Sequence, residues 1–330
     1  MQLINLDSSK TNILNVINFI LQWNNGKDSI NQQTSGSTGK AKTIKLPKWK
    51  MQNSAEMTGE ELGLYKMKNA LICMNSNYIG SKMMIVRALR YNLDLIVTEV
   101  TSNPLKNIDF PIDFAAMVPF QVEEIIRQNP EKLNLIGTLI IGGASVSTQL
   151  EQKLKKFNCI AYSTFGMTET VSHIALKDLK IENSPFRVIG NTVLSVQNDC
   201  LVISNENLGI EKLKTNDIVE LIDEKSFFWK GRADFIINSG GVKINPEVVE
   251  EKIKNALLIN NFVISSLPDD KLGNAVIFIG EEDLKTNDLQ KKIEGIVDVY
   301  ERPKTYYFIP SLVRTASGKI NRLQTLKTIR

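Results

Sequence analysis

Between residues 70 and 162, apolar runs of strand length alternate with segments of helical periodicity, and this alternation restricts the fold more than any other feature of the chain. Ala70 to Met74, Leu93 to Val97, Leu135 to Ile141 and Ile160 to Tyr162 read as strands. Ser81 to Leu89, Phe120 to Arg127 and Thr148 to Phe157 read as helices. Repeated βα units imply a parallel sheet covered by helices on both faces. Such sheets hold ligands beyond their strand ends, where this chain carries Gly142-Gly143-Ala144 and Ser163-Thr164. Upstream, Ile13, Leu14, Ile17, Ile20 and Leu21 predict a helix over residues 11 to 25, Thr43 to Pro47 a strand, and Lys48 to Leu64 a helix.

Past residue 185 the texture changes to short alternating strands, Val193 to Val196, Cys200 to Ile203, Ile218 to Ile222 and Phe227 to Trp229, which suggest a small antiparallel or barrel-like subdomain. After Gly231-Arg232-Ala233-Asp234 come another strand, a helix from Pro246 to Leu257 and further mixed segments. The expected fold class is therefore α/β. A large N-terminal domain, residues 1–233, would combine the βα-built sheet with a β subdomain over about 186–233, and a smaller, mobile α+β domain would occupy 234–330. No low-complexity linker separates them, which favours a hinge near Asp234.

The stretch Thr34-Ser35-Gly36-Ser37-Thr38-Gly39-Lys40-Ala41-Lys42 has the composition of an anion cradle: glycines that let backbone N–H groups turn inward, hydroxyl donors and two lysines. It is not a Walker A loop, because Gly39-Lys40 is preceded at that spacing by Thr34 and followed by Ala41. Composition excludes several other classes. A net charge of +4 with no basic block does not mark nucleic-acid binding. Cys73, Cys159 and Cys200 show no metal-ligand spacing and read as reduced core residues of a cytoplasmic protein. The sequence shows no leader-like N-terminus and no run long enough for a membrane span. A single histidine, His173, leaves little room for a Ser-His-Asp triad or a multi-His metal centre, so the chemistry is expected to run on lysine, carboxylate and backbone.

Four further segments accompany the cradle: Phe165-Gly166-Met167-Thr168-Glu169-Thr170; Lys214-Thr215-Asn216-Asp217; Gly231-Arg232-Ala233-Asp234 with Ser239-Gly240-Gly241-Val242-Lys243-Ile244-Asn245-Pro246-Glu247; and Arg314-Thr315-Ala316-Ser317-Gly318-Lys319. In this order, and spanning residues 34 to 322, they resemble the adenylate-forming superfamily of acyl-CoA synthetases, peptide-synthetase adenylation domains and luciferase. Each also has a physical logic. A flat ring such as Phe165 can stack a base, a hydroxyl such as Thr168 can donate to phosphate, and Glu169 can hold Mg²⁺. Asp217, read as closing a turn in which Asn216 tolerates positive φ, is a bidentate acceptor suited to a vicinal diol. Paired glycines 240 and 241 permit close backbone approach to a ligand.

The resemblance implies an ATP-dependent acid–thiol ligase that forms an acyl-adenylate and then a thioester, with ATP, Mg²⁺, coenzyme A and a small carboxylic acid as its partners. Thr34, Ser35, Gly36, Ser37, Thr38, Gly39 and Lys42 would hold phosphates. Gly142, Gly143, Ala144, Phe165, Gly166 and Met167 would frame the nucleotide, and Asp217 and Arg232 its ribose. Thr168, Glu169 and Lys319 would serve the adenylation step, Asp234 would be the hinge, and Gly240, Gly241 and Lys243 would line the thiol tunnel. Relatives commonly carry a whole subdomain before the phosphate loop, where this chain has 33 residues. Among short relatives, the segments Tyr78 to Leu89 and Gly166 to Ala175 are most similar to the o-succinylbenzoate–CoA ligases of menaquinone biosynthesis. Such a dicarboxylate needs a cation for the carboxylate that does not react. Lys82 and Arg87 are the candidates, with Ser81, Ser172 and His173 as polar partners. Phe114 to Gln121 resembles the acyl-pocket segment, although plain core packing predicts the same composition. Oligomeric state is left open by the sequence.

Overall fold

The computed structural model describes residues 1–33, 43–314 and 320–329. The chain begins with β1 (Leu3–Leu6), α1 (Thr11–Trp23), an antiparallel pair of β2 (Ser29–Gln33) and β3 (Thr43–Pro47), and α2 (Lys48–Leu62). The βα region follows as β4 (Asn69–Ile72), α3 (Ile79–Tyr91), β5 (Asp94–Thr98), β6 (Ile112–Met117), α4 (Pro119–Gln128), β7 (Ile136–Ile141), α5 (Thr148–Leu154) and β8 (Ile160–Gly166). Then come β9 (His173–Asp178), β10 (Phe186–Val188), β11 (Val193–Gln197), β12 (Cys200–Asn205), β13 (Ile210–Asp223) and β14 (Ser226–Arg232). The C-terminal part contains β15 (Ile237–Ser239), β16 (Val242–Ile244), α6 (Pro246–Leu257), β17 (Phe262–Asp269), β18 (Gly273–Glu281), α7 (Leu289–Glu294), β19 (Thr305–Ile309) and α8 (Arg322–Lys327).

Strands β1, β5, β4, β6, β7 and β8 are parallel neighbours, and alternation along them divides two cores. Ala70, Ile72, Leu95, Val97, Phe114 and Ala116 face one side with α1, α2 and α3. Leu71, Ile96, Ala115, Met117, Leu139 and Ile141 face the other with α4 and α5. Strands buried on both faces carry continuous apolar runs, which is why these segments stand out in the sequence. The buried Asp7 at the end of β1 accepts the Asn12 and Ile13 N–H groups and so anchors the start of α1. Cys73, Cys159 and Cys200 are unbridged and buried, and desolvation pushes the Cys73 thiol up to about 12.

The strands past residue 185, which the sequence suggests as a separate β subdomain, are hydrogen-bonded into the same ladder. Its order is β1-β5-β4-β6-β7-β8-β9-β10-β14-β13-β12-β11, a single mixed sheet of 12 strands. The chain reverses between β8 and β9, and every later pair within this sheet is antiparallel. The change in texture therefore marks a switch from parallel to antiparallel pairing within one sheet. In the C-terminal part, β17, β18 and β19 form a sheet around Phe262, Ile264, Val276 and Phe278, packed with Val249 and Ile253 of α6. Helix α6 starts where Asn245 accepts the Glu247 N–H at 3.1 Å, with Pro246 in the first helical position. Among the described residues, no helix is long and apolar enough to cross a membrane.

Candidate functional site

The ends of β6, β7 and β8 bring several of the motif residues together. The Gly142 N–H donates to the Met117 carbonyl at 3.1 Å, and Thr164 Oγ1 donates to the Ile141 carbonyl at 3.2 Å, so the Gly142-Gly143-Ala144 segment lies between neighbouring strand ends. Half-buried Phe165 meets Phe227 of β14 edge-on, with ring centroids 5.1 Å apart, and Phe186 of β10 at 5.9 Å. Gly166 is where the chain crosses itself. A Cβ there would fall 2.3 Å from the Ser172 carbonyl oxygen, so no larger residue fits.

Between Gly166 and His173 lies a tight reversal that sequence reasoning missed. Thr168–Thr170 form a 3₁₀ turn, and Thr170 Oγ1 accepts the Met167 N–H at 3.0 Å. Val171 then adopts φ 67°, ψ −52°, and the Ser172 N–H donates back to the Thr170 carbonyl at 2.8 Å. That is a γ-turn of the strained kind, centred on a buried β-branched residue. It leaves Thr168 half-buried and Glu169 exposed at the tip. A lone exposed carboxylate with neighbouring hydroxyls suits a hard cation that keeps water and phosphate as its other ligands.

Behind this turn is a buried polar cluster. Arg87 of α3 is 1% exposed, donates from Nη2 to Ser172 Oγ at 3.0 Å, and has no partner for Nε. Among the described residues, no carboxylate lies within ion-pair distance of Arg87, and burial pushes its pKa down to about 9. His173 Nε2 lies 3.1 Å from Thr58 Oγ1 of α2. The Thr58 hydroxyl donates its one proton to the Ser54 carbonyl at 3.1 Å, which makes His173 Nε2 the donor in the His173–Thr58 bond. Burial, and after it the Arg87 charge, holds the imidazole well below its ordinary pKa, so His173 is neutral at pH 7. Thr58 gave no sequence signal, because a threonine inside an amphipathic helix is unremarkable.

The other acyl candidates are elsewhere. Lys82 Nζ donates to Gln32 Oε1 of β2 at 2.9 Å and lies 5.8 Å from the Phe19 ring, and burial lowers its pKa. Ser81 donates to the Met74 carbonyl at 3.1 Å and sits near Ser76. Positions 82 and 87 fall on different faces of one helix, so Lys82 cannot join Arg87. The structure thus groups Arg87, Ser172 and His173 and sets Lys82 and Ser81 apart.

A second cluster lies at the β13–β14 pair. Asp217 and Arg232 are register partners, with Arg232 Nη1 3.9 Å from Asp217 Oδ1. The Lys214-to-Asp217 segment is not the turn its sequence suggests: it runs inside β13, and neither Thr215 nor Asn216 has positive φ. Register shifts in the pairs β13 makes with β12 and β14 let the long strand bend without a reversal. Trp229 Nε1 donates to Asp217 Oδ1 at 2.9 Å, Thr215 Oγ1 accepts the Asp217 N–H at 3.0 Å, and burial raises the Asp217 pKa. Arg232 grips Asp234 in a fork, Nε to Oδ1 at 3.0 Å and Nη2 to Oδ2 at 2.8 Å.

Gly240 and Gly241, with φ of 58° and 83°, form the two-residue turn of the β15–β16 hairpin, a conformation that favours glycine at both positions. Lys243 is exposed on β16, opposite Asn238. Helix α6 contacts both the second cluster and α5: Glu247 accepts the Arg232 N–H, and one turn on Glu251 accepts from Thr148 Oγ1 at the start of α5. Thr34, Ser35, Gly36, Ser37, Thr38, Gly39 and Lys42, and also Lys319, lie outside the described residues.

Comparison with known proteins places this arrangement. Residues 30–206 match the family model described as AMP-binding enzyme. A solved acyl-CoA synthetase (AMP-forming)/AMP-acid ligase II-like protein from Dyadobacter fermentans is 34% identical, with a TM-score of 0.63, covering 97% of this chain and 95% of that one. The O-succinylbenzoate coenzyme A synthetase of Bacillus subtilis, solved with ATP and magnesium, shares the fold at a TM-score of 0.79 and 17% identity, over 90% of this chain and 69% of that one. The 2-succinylbenzoate–CoA ligase of Staphylococcus epidermidis is 26% identical over 319 residues, covering 88% of this chain and 67% of its own length. That of Lactococcus lactis is 24% identical, over 90% and 70%. The chain thus spans about two thirds of the length of these curated relatives. With more than half of its residues matched by the family model and a 34% identical relative aligned over nearly its whole length, the chain belongs to the AMP-binding enzyme family.

Proposed function

We propose that this chain is an AMP-forming acid–thiol ligase whose acid is o-succinylbenzoate. A substrate carboxylate attacks the α-phosphorus of ATP and expels pyrophosphate, leaving an acyl-adenylate; the thiol of coenzyme A then displaces AMP. Residues 34–42 hold the β- and γ-phosphates, Thr168 meets the α-phosphate, and Lys319 neutralises the charge that builds on carboxylate and phosphate oxygens. Phe165 stacks the adenine beside Gly142, Gly143, Ala144, Gly166 and Met167, while Asp217 and Arg232 take the ribose. Mg²⁺, held by Glu169, supplies charge neutralisation on the phosphate oxygens when bound. Asp234 is the hinge, and Gly240, Gly241 and Lys243 meet the pantetheine arm in the second half-reaction. The protein contributes placement and charge.

The observation that carries the substrate reading is Arg87, a buried guanidinium with no described carboxylate partner and an unfilled Nε, beside Ser172 and a neutral His173. A buried cation without a counter-ion is costly and fits a ligand that brings the negative charge with it. An aromatic dicarboxylate matches, since one carboxylate reacts and the other pairs with Arg87. The second reading, a ligase for another aryl or medium-chain acid, draws on the apolar composition of the Phe114 to Met117 segment, of which Phe114 and Ala116 share the sheet face with α3. ATP–pyrophosphate exchange across o-succinylbenzoate, succinate, benzoate and octanoate separates the two. The expected order puts o-succinylbenzoate first by a wide margin; equal or faster exchange with a monocarboxylate sinks the dicarboxylate assignment. AMP release on adding coenzyme A distinguishes an enzyme from a module that only binds adenylate.

Asp217→Asn should weaken AMP binding about 10- to 100-fold in calorimetry, because hydrogen bonds to a charged acceptor contribute about 1.5–3 kcal/mol. The Trp229 bond can persist to the amide oxygen, so the fold should hold. Unchanged AMP affinity would remove Asp217 from the ribose site.

A further inference from the structure

Strand β14 is paired along its whole length on one side only. There β13 follows it from Asp217↔Arg232 to Asp223↔Ser226, whereas on the other side β10 meets only Ser226 and Phe227. The rest of that edge would show bare backbone, but the start of α6 fills it. Asn245 Nδ2 donates to the Lys230 carbonyl at 2.7 Å, and Glu247 Oε2 accepts the Arg232 N–H at 2.7 Å. A carbonyl on one residue and an N–H two residues later are the pair that a neighbouring strand would satisfy. Two side chains here take the place of a strand.

Gly231, between the two bonds, has φ 132°, and a Cβ there would lie 2.5 Å from Asn245 Nδ2 and 2.9 Å from Glu247 Oε2. The close approach therefore requires glycine. The clasp is itself braced. Asn245 Oδ1 caps the Glu247 N–H, and Glu250, one turn further on, accepts the Ile264 N–H at 2.7 Å and both Nη groups of Arg322 at 2.5 and 3.1 Å. The Arg322 and Arg232 guanidinium groups lie 5.0 and 5.8 Å from the Phe235 ring, so the Arg232 to Phe235 segment is held from α6 and α8 together.

We infer that Asn245 and Glu247 are positioning residues for the nucleotide site: their clasp on β14 sets the backbone from which Arg232 reaches the ribose. The inference rests on the reading of Arg232 as a ribose contact. Two measurements on the full chain keep the two claims apart. Amide hydrogen exchange over residues 230–236 reads the clasp without nucleotide, and calorimetry with AMP reads its consequence. Glu247→Ala is expected to speed exchange at the Arg232 amide at least tenfold and to raise the Kd for AMP about tenfold. Glu247→Gln, which keeps an acceptor for that N–H, should stay within threefold of the parent in both. Gly231→Ala, which pushes the clasp apart from the strand side, should reproduce the Glu247→Ala phenotype and serves if the latter folds poorly. A purely structural role would lower the melting temperature and leave AMP affinity in the folded fraction unchanged, which would overturn the inference. Unchanged exchange in both variants would overturn it as well. Faster exchange in a protein whose parent does not bind AMP would instead refute the ribose reading and leave the clasp standing as a structural contact.

Discussion

Arg87→Met should lower kcat/KM for o-succinylbenzoate by at least about 30-fold, the loss expected when one partner of a buried, hydrogen-bonded charge pair is removed. The same change should leave the melting temperature unchanged or raise it. In the free protein Arg87 is buried with no described counter-ion and with Nε unsatisfied, so a flexible apolar side chain of similar length removes an unfavourable burial. Activity and stability then move in opposite directions, which a misfolded variant cannot mimic. Arg87→Lys keeps a charge but loses the planar fork and should fall between parent and Arg87→Met. Without the Arg87 charge the His173 pKa should rise from its depressed value, which the imidazole resonances would report in a pH titration. Full turnover of o-succinylbenzoate by Arg87→Met would refute the dicarboxylate pocket.

Lys319→Ala should reduce the adenylation half-reaction, followed by ATP–pyrophosphate exchange, about 100- to 1,000-fold, the range seen when a preorganised electrostatic group is removed from a reacting centre. Thioester formation from a supplied acyl-adenylate should stay within a fewfold of the parent, because in the proposed cycle Lys319 has withdrawn by then. The ratio of the two half-reactions is the informative number. Equal losses in both would argue against alternation about Asp234 while leaving the ligase assignment intact.

Four of the six parallel strands, β4, β5, β7 and β8, were legible as apolar runs bounded by turn residues, whereas β1, an edge strand with exposed Leu3 and Leu6, and β6 went unread as strands. Helix α6 could be bounded at both ends because Asn245-Pro246 is a strong start signal and its apolar positions keep helical spacing to Leu257. Other features depend on tertiary context. Strand β6 coincides with a segment whose composition suits a pocket wall equally well. Asp217 looks like a turn residue because Thr-Asn-Asp is turn chemistry, yet pairing with Arg232 on β14 holds it extended. The γ-turn at Val171 violates local preference and can be seen only in coordinates. The choice between Lys82 and Arg87 was readable in part: five positions apart on one helix, they had to look in different directions, although which one met Ser172 and His173 depended on how α3 docks. The nucleotide motifs were identified by resemblance, and no periodicity would have found them.

The three buried thiols offer a practical opening. With Cys73, Cys159 and Cys200 buried, an added surface cysteine should react with a maleimide dye far faster than any native one. A fluorophore pair installed at exposed Ile160 and exposed Val299 would then report, in real time during turnover, whether the part of the chain beyond Asp234 rotates.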